Sequence, residues 1–168
     1  KPTKVNRLKW NSKLPVSMEM TNYPSSHQSC PSLWIGFGCR QGTDRSVFEN
    51  AVDQVFTTHG LIFETVVGIA TLELRKDEQG LLTFCKKYQL PLLSFSATYL
   101  QGLPVPTPSM IVGTKVGTDS VAEACAYAAA LSSSPLPPMI VIPKQVYRLD
   151  GCSGVVTIAV AQGGMEVC

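Results

Sequence analysis

Histidine is scarce: only His27, in a polar stretch, and His59, at the close of a predicted helix, occur in the 168 residues. Neither neighbours a candidate nucleophile in the sequence, which argues against Ser-His-Asp or Cys-His catalysis, and a helix-end histidine is favoured by the helix dipole alone. The six cysteines (Cys30, Cys39, Cys85, Cys125, Cys152 and Cys168) are scattered singly, with no CxxC pair. That pattern lacks zinc-ligand spacing and reads as reduced thiols of a cytoplasmic protein rather than a disulfide framework. No stretch approaches the roughly 18 apolar residues that span a bilayer, and no basic segment leads into an apolar one, so membrane and export readings have little support. Charge of one sign is lacking too: 14 Lys and Arg stand against 12 Asp and Glu, a net charge of +2. Without a basic field, nucleic acid is not an expected partner. There is no internal repeat and no low-complexity tract.

What is present is 45% apolar residues in a chain long enough for one domain that buries about two-thirds of its unfolded surface. Residues 1–31 carry Lys, Pro, Ser and Asn with little periodicity and read as a linker or N-terminal arm; a loose alternation from Leu14 to Met20 leaves a short strand open there. The start at Lys1 rather than Met reads as a cut edge. An α/β domain is expected over 32–162 and a tail over 163–168.

The domain is organised around Leu33-Trp34-Ile35-Gly36-Phe37-Gly38-Cys39-Arg40-Gln41-Gly42-Thr43, a short apolar strand running through a glycine-rich turn into a helix. Thr43 or Asp44 can cap that helix, whose inner face holds Val47, Ala51, Val52, Val55 and Phe56 and which Gly60 ends. Glu64 to Thr71 reads as a second strand. Asp77 then caps a helix with Leu81, Leu82, Cys85 and Tyr88 inward, and Leu92 to Phe95 is a third strand. Two strand-helix-strand passages in succession predict parallel pairing with helices on the sheet faces. A single helical turn over 96–100, a proline-rich crossing over 102–108, and a short helix from Ser109 to Val116 follow. After the break at Gly117-Thr118-Asp119, Ser120 and Glu123 read as a capping box for an Ala-rich helix to about Leu131. Met139–Pro143 and Val155–Ala161 read as an antiparallel hairpin at the sheet edge, joined by residues 144–154. The expected fold is a three-layer α/β/α domain with a mixed, mainly parallel sheet and a C-terminal antiparallel hairpin.

Polar residues gather at the predicted strand ends. Gly36, Gly38 and Gly42 give GxGxxxG, not the dinucleotide fingerprint, since the third glycine comes one place late and no acidic residue ends the next strand. The turn with Cys39, Arg40 and Thr43 still makes an anion seat at a helix start, where Cys39 beside Arg40 can have a lowered pKa. Thr71, Glu73 and Arg75 alternate with Leu72 and Leu74, so an extended strand end would turn a hydroxyl, a carboxylate and a guanidinium to one side. Gly117 and Thr118 open a helix that can receive a carboxylate, and Lys144 stands just past a strand. Each also has a plainer reading, as chain geometry, solvated strand end, helix cap or edge lysine. A hydrolase built from this set would rely on Glu73 or Glu78 as general base, with N–H groups and Arg75, Lys76 or Lys144 holding negative charge.

The segment Gly36-Phe37-Gly38-Cys39-Arg40-Gln41-Gly42-Thr43 resembles the G-[IVL]-G-C-R-x-G-T opening of the C-terminal domain of CbiG, the cobalt-precorrin-5A hydrolase of cobalamin biosynthesis, and of its stand-alone relative CobE. Ala70 to Leu81 is similar to that family's A-T-x-D-x-K-x-x-E-x-G-L, with Glu73 and Arg75 in place of Asp and Lys. Leu90-Pro91-Leu92 resembles its G-L-P-L, Val116 to Ala124 its V-G-T-x-S-V-A-E-A, and Ile142-Pro143-Lys144 with Val156 to Ala159 its closing V-P-K and V-T-x-A-I-A. The blocks keep the family's order from residue 33 to about 161.

The resemblance implies a domain of an enzyme that opens the δ-lactone of cobalt-precorrin-5A and releases acetaldehyde, or a non-catalytic CobE-like module that binds or carries a corrinoid intermediate. It implies Glu73 and Glu78 as catalytic residues and Gly38, Cys39, Arg40, Gly42, Thr43, Thr71, Arg75, Gly117, Thr118 and Lys144 as substrate-binding ones. No cofactor of the protein's own is implied, since cobalt enters within the corrinoid. The implied partners are that cobalt-corrinoid intermediate and either an N-terminal region of the same polypeptide or a fused or neighbouring precorrin methyltransferase.

Overall fold

The apolar run Leu33–Cys39 forms strand β1, buried along its whole length, as a strand covered on both faces must be. In the computed structural model, residues 32–103, 118–134 and 136–163 are described. The arm assigned to 1–31, the crossing beyond Leu103, the helix expected over 109–116, Gly117 and residues 164–168 lie outside them. Gly163, placed in the expected tail, is buried, and its N–H donates to the Ser32 carbonyl at 2.9 Å.

The remaining elements are α1 (Arg45–His59), β2 (Val66–Leu72), α2 (Gln79–Tyr88), β3 (Leu92–Phe95), α3 (Ala97–Leu100), α4 (Thr118–Ser133), β4 (Met139–Tyr147) and β5 (Val156–Gln162). They build one five-stranded sheet in the order β3-β2-β1-β5-β4. β1 pairs with β2, and β2 with β3, in parallel; β5 is antiparallel to both β1 and β4. Four strands therefore run one way and β5 alone runs against them, so the sheet is mixed, with a C-terminal hairpin at its edge. On one face, α1 and α2 cover Phe37, Ile35 and Ile158, with Phe37 meeting Phe48 and Phe84 edge-on at centroid distances of 5.1 and 5.7 Å. On the other face, α3 and the alanines of α4 cover Trp34, Ala70, Leu72 and Ala161.

Several boundaries differ from the sequence reading for identifiable reasons. α2 begins at Gln79 with Glu78, not Asp77, in the cap position, because residues 73–75 wind into a 3-10 turn continued by Lys76 N–H to Glu73 O and Glu78 N–H to Arg75 O. Its inner face is Leu81, Phe84 and Cys85; Leu82 sits about 100° round from Leu81 and is exposed. Neither expected cap of α1 caps it with a side chain. The Thr43 hydroxyl donates to Arg40 O, and the Asp44 carboxylate accepts Ser153 N–H at 2.9 Å. α4 starts at Thr118, so Ser120 lies inside its first turn rather than ahead of it. β4 runs on to Tyr147, which puts Lys144 within a strand rather than past one.

α4 runs antiparallel to β1, from Ala122 against Gly36 to Ser133, whose hydroxyl accepts Trp34 Nε1–H at 3.1 Å. A Cβ on Gly36 would lie 1.9 Å from the Ala122 carbonyl oxygen and 2.7 Å from Ala126 N. Gly36 is thus required because helix backbone rests directly on strand backbone. The start of α4 comes to the same sheet edge as the C-terminal ends of β1, β2 and β3.

Gly36→Ala is expected to force α4 off the sheet and to cost about 3 kcal/mol. Gly102→Ala, where no heavy atom lies within 4 Å of the added Cβ, should stay within about 0.5 kcal/mol. Urea denaturation of the two variants checks both values.

Candidate functional site

The loops that meet at the strand C-terminal edge are held together by side chains that the sequence places a few residues past each strand. The β1–α1 turn, residues 40–44, turns through Gly42 at φ 79°, a conformation glycine adopts without a Cβ penalty. From the β2–α2 segment, Arg75 Nε donates to the Cys39 carbonyl at 3.0 Å and the Glu78 carboxylate accepts Gly42 N–H at 3.0 Å. From the β4–β5 loop, Val155 O accepts Arg40 N–H at 3.3 Å and Ser153 O accepts Asp44 N–H at 3.0 Å. The buried Thr43 hydroxyl donates to Arg40 O at 2.6 Å, with Val155 O at 3.5 Å. Gly154, at φ 100°, closes over it; a Cβ there would lie 2.2 Å from Thr43 Oγ1.

These contacts sort the residues singled out from the sequence. Thr71 does not share an exposed side with Glu73 and Arg75, because the strand ends at Leu72. Thr71 is fully buried and its hydroxyl donates to Phe37 O at 2.9 Å. Gly38 and Cys39 are buried within β1. The expected lowering of the Cys39 pKa is reversed: burial pushes the thiol from 9.0 up to about 12, the Glu78 charge adds to the rise, and Arg75 opposes it. Arg75, Gly42 and Thr43 hold the turn. Glu78 has one carboxylate oxygen committed to Gly42, whereas Glu73 is exposed, with Lys76 Nζ 4.0 Å away. Arg40 is exposed and Lys144 half-buried, and neither side chain has a hydrogen bond or ion pair with the described residues. Thr118 occupies the first position of α4, its side chain lying outside what is described, as does Gly117.

Two open clefts flank this arrangement. One of about 420 Å³, lined by Leu72, Glu73, Leu74, Ser96 and Ala97, lies beyond the ends of β2 and β3. Another of about 470 Å³ lies where α1 and α2 begin and is lined by Gln41 to Arg45, Asp77 to Gly80, and Thr83. Among the described residues no three His, Cys, Asp or Glu side chains converge as a metal site would require, and no helix is long and apolar enough to cross a membrane. The sequence reading missed Glu123 as part of this edge. Its carboxylate is fully buried and accepts the backbone N–H of Lys144 at 3.1 Å, while its place in an apparent capping box gave a sufficient local reason for it. Ser96, read only as the start of a helical turn, caps α3: its hydroxyl accepts Tyr99 N–H at 3.2 Å.

Comparison with known proteins places the chain in a family. The family described as cobalamin synthesis G C-terminus matches residues 33–161. A cobalt-precorrin-5A hydrolase of Priestia megaterium is 31% identical over 94 residues, which are 56% of this chain and 25% of that protein. The chain thus spans about a quarter of the length of this curated relative. Among solved structures, CobE, a protein from the cobalamin (vitamin B12) biosynthetic pathway, superposes with a TM-score of 0.67 at 24% identity, covering 81% of this chain and 93% of CobE. The cobalamin biosynthesis protein chiG from Agrobacterium tumefaciens gives 0.55 at 28% identity, covering 79% and 98%.

The thiols make a direct test of the packing. Cys39 and Cys85 are both pushed up by burial to about 12 from 9.0, so the unfolded chain loses these protons first as pH rises. The stability they contribute is whole below pH 9 and is lost progressively between pH 9 and 12. With iodoacetamide at about pH 8, Cys152, which is half-buried, should be alkylated well ahead of Cys39, Cys85 and Cys125, which are buried. Peptide mass spectrometry over a time course reads the order.

Proposed function

Because the chain belongs to the family of the cobalamin synthesis G C-terminus, we propose that it forms the corrinoid-binding C-terminal part of a cobalt-precorrin-5A hydrolase. In this reading the strand C-terminal edge receives the acetate and propionate carboxylates that fringe the macrocycle. The observation that carries it is a pair of cations, Arg40 just past β1 and Lys144 on β4 at the level of Gly36: they are the chemistry an oligocarboxylate needs, and neither is spent on a described partner. Arg40 offers a planar fork to one carboxylate, while Lys144 offers a point charge to another. Cobalt belongs to the substrate, and the protein grips the periphery of the ring.

The reaction of the parent enzyme adds water across the acyl C–O bond of the δ-lactone, giving a carboxylate and a hydroxyl, before the two-carbon fragment leaves as acetaldehyde. A general base is needed to take the water proton. In this reading Glu73, exposed beside the 420 Å³ cleft, takes it, and Glu78, one of whose oxygens accepts Gly42 N–H, is the alternative. Arg75, bonded to Cys39 O, acts as a positioning group for the turn that carries Arg40. A carrier or binding module without catalysis of its own is the second reading. One observation favours it: Thr71, Glu78, Glu123 and Cys39, four of the described groups able to move a proton near this edge, are bonded into the fold or held protonated by burial.

Anaerobic titration of the purified chain with cobalt-precorrin-5A, followed by absorbance, tests the binding surface. The Arg40→Ala, Lys144→Ala double variant should bind about tenfold more weakly than the parent, and equal binding by the two would displace the site from this edge. Trapping of aldehyde in the same incubation separates the two readings. Release above that of a Glu73→Ala, Glu78→Ala control assigns the hydrolytic step to this domain, and a spectral shift without aldehyde assigns it binding alone.

A further inference from the structure

A buried carboxylate and an irregular strand meet at one place in this molecule. Along β4 the pairing with β5 slips: Ile142 stands opposite Val160, and Gln145 opposite Ile158, so that Pro143 and Lys144 together face Ala159. The extra residue makes a β-bulge, which turns one N–H and one side chain away from the ladder. Pro143 has no N–H to lose. The Lys144 N–H, released from the ladder, donates to Glu123 Oε2 at 3.1 Å. Glu123 has none of its surface exposed, and it projects from the first turns of α4, one residue after Ala122, whose carbonyl rests against Gly36. The helix is therefore fixed to β1 by backbone contact and fixed to the bulge by a hydrogen bond from strand backbone to helix side chain.

We infer that Glu123 is the positioning residue for Lys144 in ligand binding: by holding the bulge of β4 against the start of α4, it sets where the Lys144 ammonium meets a substrate carboxylate. The inference rests on the proposed function, which makes Lys144 a ligand for the corrinoid periphery. Glu123 does not touch the ligand and acts through the lysine it holds. Its carboxylate is the device that keeps a flexible four-carbon side chain rooted at a fixed point of the site, so that less freedom is lost on binding.

The test uses the intact chain with cobalt-precorrin-5A as the probe, in the parent and in a Lys144→Ala background. Glu123→Met removes the acceptor at similar volume and should weaken binding about fivefold. Glu123→Gln, which keeps a carbonyl oxygen for the Lys144 N–H, should restore binding to within about twofold of the parent. On the Lys144→Ala background, Glu123→Met should add no further loss, because its effect passes through the lysine. Loss of binding that persists in that background, or parent-like binding by Glu123→Met, overturns the inference. Amide hydrogen exchange at Lys144 keeps it testable should Glu123→Met fold poorly: the amide should be protected in the parent and in Glu123→Gln, and fast exchange in the parent overturns the grip itself. Should Lys144→Ala bind like the parent while its amide is protected in the parent, it is the proposed role of Lys144 that fails and not the contact.

Discussion

The contact between the backbone of α4 and the backbone of β1 at Gly36 is the constraint on which the rest of the arrangement depends. A side chain of any size at position 36 would occupy the space of the Ala122 carbonyl, and the alanines of α4 are the complementary half of the same requirement. Close approach brings Glu123 within reach of β4 and Trp34 within reach of Ser133. It also aims the start of α4 at the edge where β1, β2 and β3 end. On the opposite face, bulk does the equivalent work, with Phe37, Phe48 and Phe84 interlocked edge to face. The sheet is thus clamped thinly on one side and thickly on the other, and the loops at its C-terminal edge inherit a rigid base.

The loops that lead into α1 and α2 are built by mutual hydrogen bonding rather than by side-chain caps of their own. The β1–α1 turn, which as an isolated segment reads as an anion seat, gives its Gly42 N–H to Glu78 and its Thr43 hydroxyl to Arg40 O. Under the proposed function, anion recognition falls to side chains, Arg40 past β1 and Lys144 on β4, more than to the turn itself. The same economy explains the thiol at position 39. It is a packing residue of a fully buried strand, and desolvation outweighs the nearby guanidinium.

Much of this was legible in the residues. The all-apolar Leu33–Cys39 run, the helical spacing of Val47, Ala51, Val52 and Val55, and the glycine stop at Gly60 gave β1 and α1 nearly to the residue, because local signals there agree with tertiary burial. The hairpin and the mixed sheet followed from two β-rich segments joined by a polar, glycine-bearing connection. The second strand reads to Thr71, one residue short of its end at Leu72, but the alternation from Thr71 to Arg75 leaves an extended continuation open where the chain winds into a 3-10 turn. Phe84 rather than Leu82 turns inward, as the i, i+3, i+4, i+7 spacing of Leu81, Phe84, Cys85 and Tyr88 requires; placing Leu82 inward departs from that spacing. The partners of Glu78, Arg75 and Glu123 lie 36, 36 and 21 residues away along the chain, and no local pattern records such distances. The residues of the candidate site were thus visible as chemistry but not as an arrangement.

The central claim is that the ligand meets the C-terminal edge of the parallel strands. Mapping amide chemical-shift changes across an isotope-labelled chain as cobalt-precorrin-5A is added anaerobically tests it most directly. The account predicts that the perturbed amides cluster at Arg40 to Thr43, Glu73 to Arg75, and Lys144. Perturbation confined to the opposite edge, around Ser32, Ser133 and Gly163, would contradict it.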